Sequence, residues 1–168
     1  VLYDQTVPQF VKTLQNLLGL IDKGVKYAEV KKFEFDVLLN SRLAPDQFSF
    51  IRQVQIACDT AKLCAARLTG KEAPVNDDTE KTLSEVKARI EQTIRFLRSL
   101  TKDDFKGAEE KRVTQPRWEG KFLTGVNYVN HHSIPNFYFH ITTAYSILRH
   151  NGVDVGKKDY LGELPFNI

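Results

Sequence analysis

The stretch Thr124–Gly152, TGVNYVNHHSIPNFYFHITTAYSILRHNG, decides how this chain is read. At about 100° per residue, Phe137, Ile141, Ala144 and Leu148 fall on one face, and Ile134, Tyr138 and Tyr145 widen it. That is the stripe of a long amphipathic helix. Asn151-Gly152 follows directly and stops it. His140 lies about 100° from the centre of the apolar arc, with Asn136 one turn earlier on the same edge. Pro135 falls inside the pattern, so the helix either kinks there or starts near Ser133. A kink would leave the carbonyl of His131 without its usual donor. The stretch holds all four histidines, at 131, 132, 140 and 150, and is where chemistry is sought first.

Three more stripes precede it. Thr6 ahead of Val7-Pro8 predicts a helix start, with the hydroxyl as cap and proline in the first turn. Phe10, Leu14, Leu17, Leu18 and Ile21 carry that helix to about Asp22, with Gly24 near its end. Residues 24–44 are less regular and read as a connection across one end, with short helical pieces at Val25–Lys32 and Phe35–Leu39. Ala44-Pro45-Asp46 opens a second long helix that Gly70 stops, with Ile51, Val54, Cys58, Ala61, Ala65 and Leu68 as its core arc. Its small residues Ala57, Ala61 and Ala65 permit close approach of a neighbour. Asn76-Asp77-Asp78 offers caps for a third helix, Thr79 to about Ser99, buried through Leu83, Val86, Ile90, Ile94 and Leu97. Arg112–Gln115 and Lys121–Thr124 are expected to pair as a short hairpin across residues 116–120. A tail from Val153 is expected to wrap over the bundle and to find cover for Tyr160, Leu161, Leu164 and Phe166. Four amphipathic helices and one irregular crossover predict an all-α four-helix bundle, one domain over residues 1–168.

Composition sets the outer limits. Hydrophobic content of 42% and charge of 27% are ordinary for a globular chain. The net charge of +3 is spread along the sequence, which gives no nucleic-acid footprint. Apolar runs are too short to span a bilayer, and no secretory signal pattern begins the chain. Cys58 and Cys64 are six apart on one helix, on different faces, so a disulfide between them is not expected. These readings together predict a cytoplasmic protein. The sequence contains no methionine, which suggests that its start residue was removed or is not included.

Candidate site residues come from the polar edges of the second and fourth helices. His140, with an ordinary pKa of about 6.5, suits a metal ligand or a general base. A boundary histidine hydrogen-bonded inside the bundle is the commoner role. Gln55, Asp59 and Lys62 share one edge, and Asp59 with Lys62 forms a possible i, i+3 ion pair. Asn136 and Gln55 read either as a grip on a substrate amide or carboxylate, or as two buried amides that satisfy each other or cap the Pro135 break. Asp59 reads as a ligand, as an acid/base partner of His140, or as a salt-bridged surface group. Arg42 and Asp46 flank Pro45, as a pocket mouth, an anion contact or a helix-start ion pair. Tyr138, with Phe137, Phe139 and Tyr145, either packs in the core or lines a cavity. His131 and His132 diverge by about 100° and do not share one metal. Nucleophile elbows, glycine-rich phosphate loops and CxxC motifs are all missing from the sequence.

Two stretches carry a resemblance. One is Arg42-Leu43-Ala44-Pro45-Asp46 running into Arg52-Gln53-Val54-Gln55-Ile56-Ala57-Cys58-Asp59-Thr60-Ala61-Lys62. The other is Pro135-Asn136-Phe137-Tyr138-Phe139-His140 continuing through Thr143-Ala144-Tyr145 to Gly152. Together they resemble an uncharacterised bacterial and fungal domain-of-unknown-function family in the DinB/YfiT-like superfamily of four-helix metalloenzymes. The resemblance implies an up-down-down-up bundle with a long crossover, often a homodimer. It also implies a divalent metal such as zinc or nickel on three histidines, in some members with thiol-dependent transferase chemistry. Two of those histidines form an H-x-x-x-H pair on the last helix. The second of them matches His140, Asn136 stands at the first, and the histidine of the earlier helix falls near Gln55. Amides are weak ligands for such metals, so the resemblance implies a degenerate metal site. The expected function is small-molecule binding in a helix-lined pocket of Gln55, Asp59, Asn136, Tyr138 and His140. A metal-dependent enzyme and a dimeric structural module are the alternatives.

Overall fold

The computed structural model describes residues 1–167. In chain order the helices are α1 (Leu2–Lys31), α2 (Asp36–Leu39), α3 (Phe50–Thr69), α4 (Leu83–Arg98), α5 (Gly125–Tyr128), α6 (Ile134–His150) and α7 (Lys157–Leu161). The strands β1 (Arg112–Val113) and β2 (Leu123–Thr124) pair antiparallel, Arg112 opposite Thr124 and Val113 opposite Leu123. The expected hairpin is therefore present, and the Arg112 guanidinium lies 3.6 Å over the Phe122 ring on its outside.

Helix directions follow from which residues meet. Asp22 pairs with Lys87 at 2.7 Å, and Gln15 lies by Arg98, so α1 and α4 are antiparallel. Gln53 meets His140 and Arg67 meets Tyr128, so α3 runs against α6. Phe10 packs on Phe137, with ring centroids 4.4 Å apart, and Tyr27 lies against Gly152, so α1 and α6 run together. The result is the up-down-down-up bundle. Residues 70–82 cross back along α3 to the end where Asp36 accepts the Leu83 N–H at 2.8 Å. That return makes α3 and α4 parallel.

The apolar stripes read from the sequence are the buried faces. Phe137, Ile141, Ala144 and Leu148 of α6 are all buried, as are Phe10, Leu14, Leu17 and Ile21 of α1. Ala57, Ala61 and Ala65 are buried on α3, which packs extensively on both α4 and α6. Among the described residues, no helix is long and apolar enough to cross a membrane.

Helix boundaries differ from expectation, each for a physical reason. Helix α1 begins at Leu2, so Thr6 is no cap; its Oγ1 donates back to the Leu2 carbonyl at 2.6 Å. Pro8 sits inside the helix on the exposed side, where water can serve the carbonyl that its missing N–H leaves free. Leu2 and Val7 are buried, and this packing overrides the local signal. Gly24 does not end the helix. A Cβ there would stand 2.6 Å from the Phe35 ring, so the glycine is a notch for that ring. The stop is Lys32 in the left-handed region (φ 61), where the N–H groups of Lys32 and Phe33 close onto Glu29 and Ala28.

Helix α3 starts at Phe50 and not near Asp46, and Arg42 donates to the Gln47 carbonyl at 2.8 Å in place of an ion pair with Asp46. Helix α4 starts after Thr82, whose side chain and that of Glu85 form a reciprocal capping box. Asn76, Asp77 and Asp78 are therefore no caps. Between β2 and α6 the chain is helical throughout, but Val129–Ser133 form a π turn in which Ile134 donates to the Val129 carbonyl. The wide turn accommodates Pro135 just after it, in place of either a break or a sharp kink. Gly125 has its own packing role, since a Cβ there would stand 1.8 Å from the Ala108 carbonyl oxygen.

The tail docks on α1 through α7. Asn16 donates to the Tyr160 carbonyl at 3.0 Å and Lys23 pairs with Asp159 at 2.8 Å. Tyr160 packs edge-on against Tyr145, but Leu161, Leu164 and Phe166 remain exposed, contrary to expectation.

Candidate functional site

Helix α6 and the turns before it place Tyr128, His132, Asn136 and His140 at a spacing of four. A spacing of four drifts around a 3.6-residue helix, and the wide π turn offsets part of that drift. Helix α3 runs opposite and supplies Gln53, Thr60 and Arg67. The facing pairs are His140 with Gln53, Asn136 with Thr60, and Tyr128 with Arg67.

His140 is buried, and its Nδ1 lies 2.6 Å from Gln53 Oε1. The amide orientation is fixed at its other end, where Gln53 Nε2 donates to the Phe48 carbonyl at 3.0 Å. Oxygen therefore faces the imidazole, and Nδ1 is the protonated nitrogen. Burial, with a smaller contribution from Arg52, pushes the His140 pKa down to about 4. It is a neutral histidine at physiological pH.

One turn away, Asn136 Nδ2 donates to Thr60 Oγ1 at 2.7 Å, and that hydroxyl donates to the Ile56 carbonyl at 2.7 Å. The amide is thus held with Oδ1 unengaged among the described residues. A cleft of about 140 Å³ opens beside it, walled by α3 from Arg52 to Arg67, by Tyr128, His132 and Asn136, and by Gln115 and Arg117 of the hairpin turn. His132 stacks on Tyr128 with centroids 5.4 Å apart, and Trp118 meets both rings edge-on. Burial first, then the charges of Arg117 and Arg67, hold the His132 pKa below the usual imidazole value. Its Nδ1 is buried without a hydrogen-bond partner among the described residues.

The other polar residues gather along the adjoining side of α3, where it packs on α4. Arg89 of α4 is buried and reaches Asp59 at 2.9 Å, Glu80 at 3.1 Å and Asp78. Burial opposes its charge, but the three carboxylates outweigh burial and push the Arg89 pKa up. Lys62, also buried, pairs with Asp59 at 3.0 Å as its spacing suggested, and donates to Asn76 Oδ1 at 2.7 Å. Gln55 turns to this side as well and donates to Glu80 at 2.9 Å. Residues 76–80 thus reach α3 and α4 through charge.

The proposed pocket set is therefore split. His140 and Asn136 face α3 on one side, but their partners are Gln53 and Thr60, not Gln55. Gln55 is committed to Glu80 and Arg52. Asp59 lines the cleft, yet it is engaged by Arg89 and Lys62 rather than by His140. Tyr138 is half-buried against Phe137 and takes no part in the cleft lining. Missed by the sequence reading were Arg52, Thr60, Arg67, Gln115, Arg117, Tyr128 and His132. The four-residue ladder from Tyr128 to His140 was a readable signal, whereas nothing local marked Gln115 and Arg117.

The residues do not fit a metal ion held by three protein side chains. Among the described residues, no group of three or more His, Cys, Asp and Glu converges as a metal site. The neighbours of His140 are amides and a hydroxyl, poor donors for zinc or nickel. Both cysteines are buried and unpaired, and burial pushes their thiols up to about 12, which leaves them protonated and unreactive.

A larger groove of about 780 Å³ lies where α1 and α2 meet the start of α4. Its Glu29, Lys32, Glu34, Thr82 and Ser84 are exposed, and Asp36 is occupied by the Leu83 N–H. It lacks the convergent, half-buried polar groups of the smaller cleft.

Comparison with known proteins agrees with this architecture. The crystal structure of a DinB family member from Shewanella denitrificans is similar, with a TM-score of 0.96 and 57% identity, over 99% of this chain and 95% of that one. No curated protein matches. The family model described as domain of unknown function DUF1993 matches residues 2–161. An all-α bundle of this topology, matched over nearly its whole length by that model, belongs to the DUF1993 family of DinB-like proteins.

Proposed function

We propose that the chain binds a small molecule in the cleft between α3 and the arm from Gln115 to Asn136, beside a degenerate metal position marked by His140. The observation that carries this reading is the Thr60–Asn136 hydrogen bond. It fixes an amide at the cleft wall and leaves its carbonyl oxygen as an oriented acceptor. Around it stand donors of both kinds, guanidinium and amide, and aromatic walls. Such convergence of a few polar groups in a concave site is the ordinary form of a ligand site. The volume equals roughly five waters, so a compact group enters and the rest of a larger ligand would lie outside.

A fragment screen by NMR tests the reading. The side-chain amide signals of Asn136 and Gln115 are expected to shift together, in a saturable manner, with at least one class of small polar fragment. Shifts confined to the groove around Val25 and Phe35, with none at Asn136, would contradict it.

A further inference from the structure

We propose that the cleft is an oxyanion site that takes a carboxylate or phosphate group on Arg67 and Arg117. This rests on the cleft being a ligand site, and it adds the chemical class of the ligand.

Positive charge in the cleft is unmatched. Three guanidiniums line the cleft, Arg52, Arg67 and Arg117, against one carboxylate, Asp59. Asp59 already serves Arg89 and Lys62. Arg52 is matched by Asp78 at 2.8 Å. Among the described residues, neither Arg67 nor Arg117 has a carboxylate within salt-bridge distance.

Arg67 is half-buried and is oriented by a neutral partner. Its Nη1 donates to Tyr128 Oη at 2.9 Å, and its guanidinium lies 5.9 Å from the centre of that ring. A guanidinium carries five N–H donors, so most of this fork is free for an incoming group. Arg117 comes from the opposite wall, on the turn between β1 and β2. Arg67, Arg117 and His132 line the same small cleft. Two like charges facing one small cleft repel each other, and a bound anion would relieve that repulsion while accepting charge-assisted hydrogen bonds. Gln115, buried beside them, adds a neutral amide.

The test is a titration at constant ionic strength with three probes: inorganic phosphate, acetate and the neutral acetamide. Binding is read from the Gln115 and Asn136 amide signals. Each of Arg67→Gln and Arg117→Gln is expected to weaken anion binding by about tenfold or more, the size of one charged hydrogen bond. Arg112→Gln, on the outer side of the hairpin, is expected to leave it unchanged. Phosphate binding without acetate identifies a phosphate ligand, and the reverse identifies a carboxylate; either supports the proposal. Acetamide binding as well as the anions, with both arginine variants unaffected, overturns the oxyanion assignment and keeps the cleft as a site. No shift with any probe overturns both. Arg117 is exposed, so its variant stays informative even if Arg67→Gln fails to fold.

Discussion

Replacing Arg89 by leucine is expected to cost about 3 kcal/mol of folding stability, read as a lowered urea midpoint at pH 7. Breaking a buried ion cluster from one side leaves its other charges uncompensated, which typically costs 3–5 kcal/mol. The lower end applies here because the carboxylates keep other support. Asp59 retains Lys62, Asp78 retains Arg52, and both are partly exposed to water. Glu80, the most buried of the three, keeps only the Gln55 amide.

The pH dependence separates charge from packing. Burial raises the Asp78 pKa, but Arg89 and Arg52 outweigh it and hold the carboxyl below its usual value. A depressed carboxylate contributes stability above its unfolded pKa of about 3.9, and that contribution fades as pH falls through the folded value. The gap between wild type and Arg89→Leu is therefore expected to narrow below about pH 4. A gap that stays constant on acidification would assign the loss to packing alone.

His140 supplies the second large effect. Its pKa is about 4 in the fold, against about 6.5 for an unfolded histidine. The unfolded chain thus takes up the proton first. The contribution of the neutral imidazole is complete above about pH 6.5 and is lost as pH falls toward 4, at roughly 1.4 kcal/mol per pH unit and about 3 kcal/mol in all. His140→Gln keeps an amide donor for Gln53 Oε1 and removes the titration. Stability curves at pH 7, 6, 5 and 4.5 are expected to fall more steeply for wild type than for the variant. Every other group is common to the two proteins and cancels in the difference. Parallel curves would mean that His140 is charged or solvated in the fold.

The buried faces of the bundle were legible because they depend only on periodicity. Each stripe read from α1, α3, α4 and α6 lies in the core apart from edge residues such as Leu18, Ile51 and Leu83. The axial register of one helix against another is not encoded that way. His140 meets Gln53 where Gln55 was expected, an offset of two residues, or about 200° of rotation. Gln55 therefore faces Glu80 and a different neighbourhood. Arg89 was hidden for a related reason. It sits beside Ile90 on an amphipathic helix and reads as a surface charge until residues 76–80 fold back to meet it. Gly24 and Pro8 misled because glycine and proline were read as punctuation, whereas one is a notch for Phe35 and the other a solvent-facing position inside α1. The oriented amides of Gln53 and Asn136 belong to contacts made 87 and 76 residues away, beyond any local pattern.

The most direct test is the metal content of protein purified without chelator or affinity metal, beside His140→Ala. In the present account His140 is a neutral histidine tied to Gln53, and the cleft works through amides and guanidiniums. Elemental analysis is then expected to give well under one equivalent of zinc, nickel or iron, with no difference between the two proteins. About one equivalent in the wild type that disappears in His140→Ala would contradict it, and would mean that the amides around His140 complete a metal site after all.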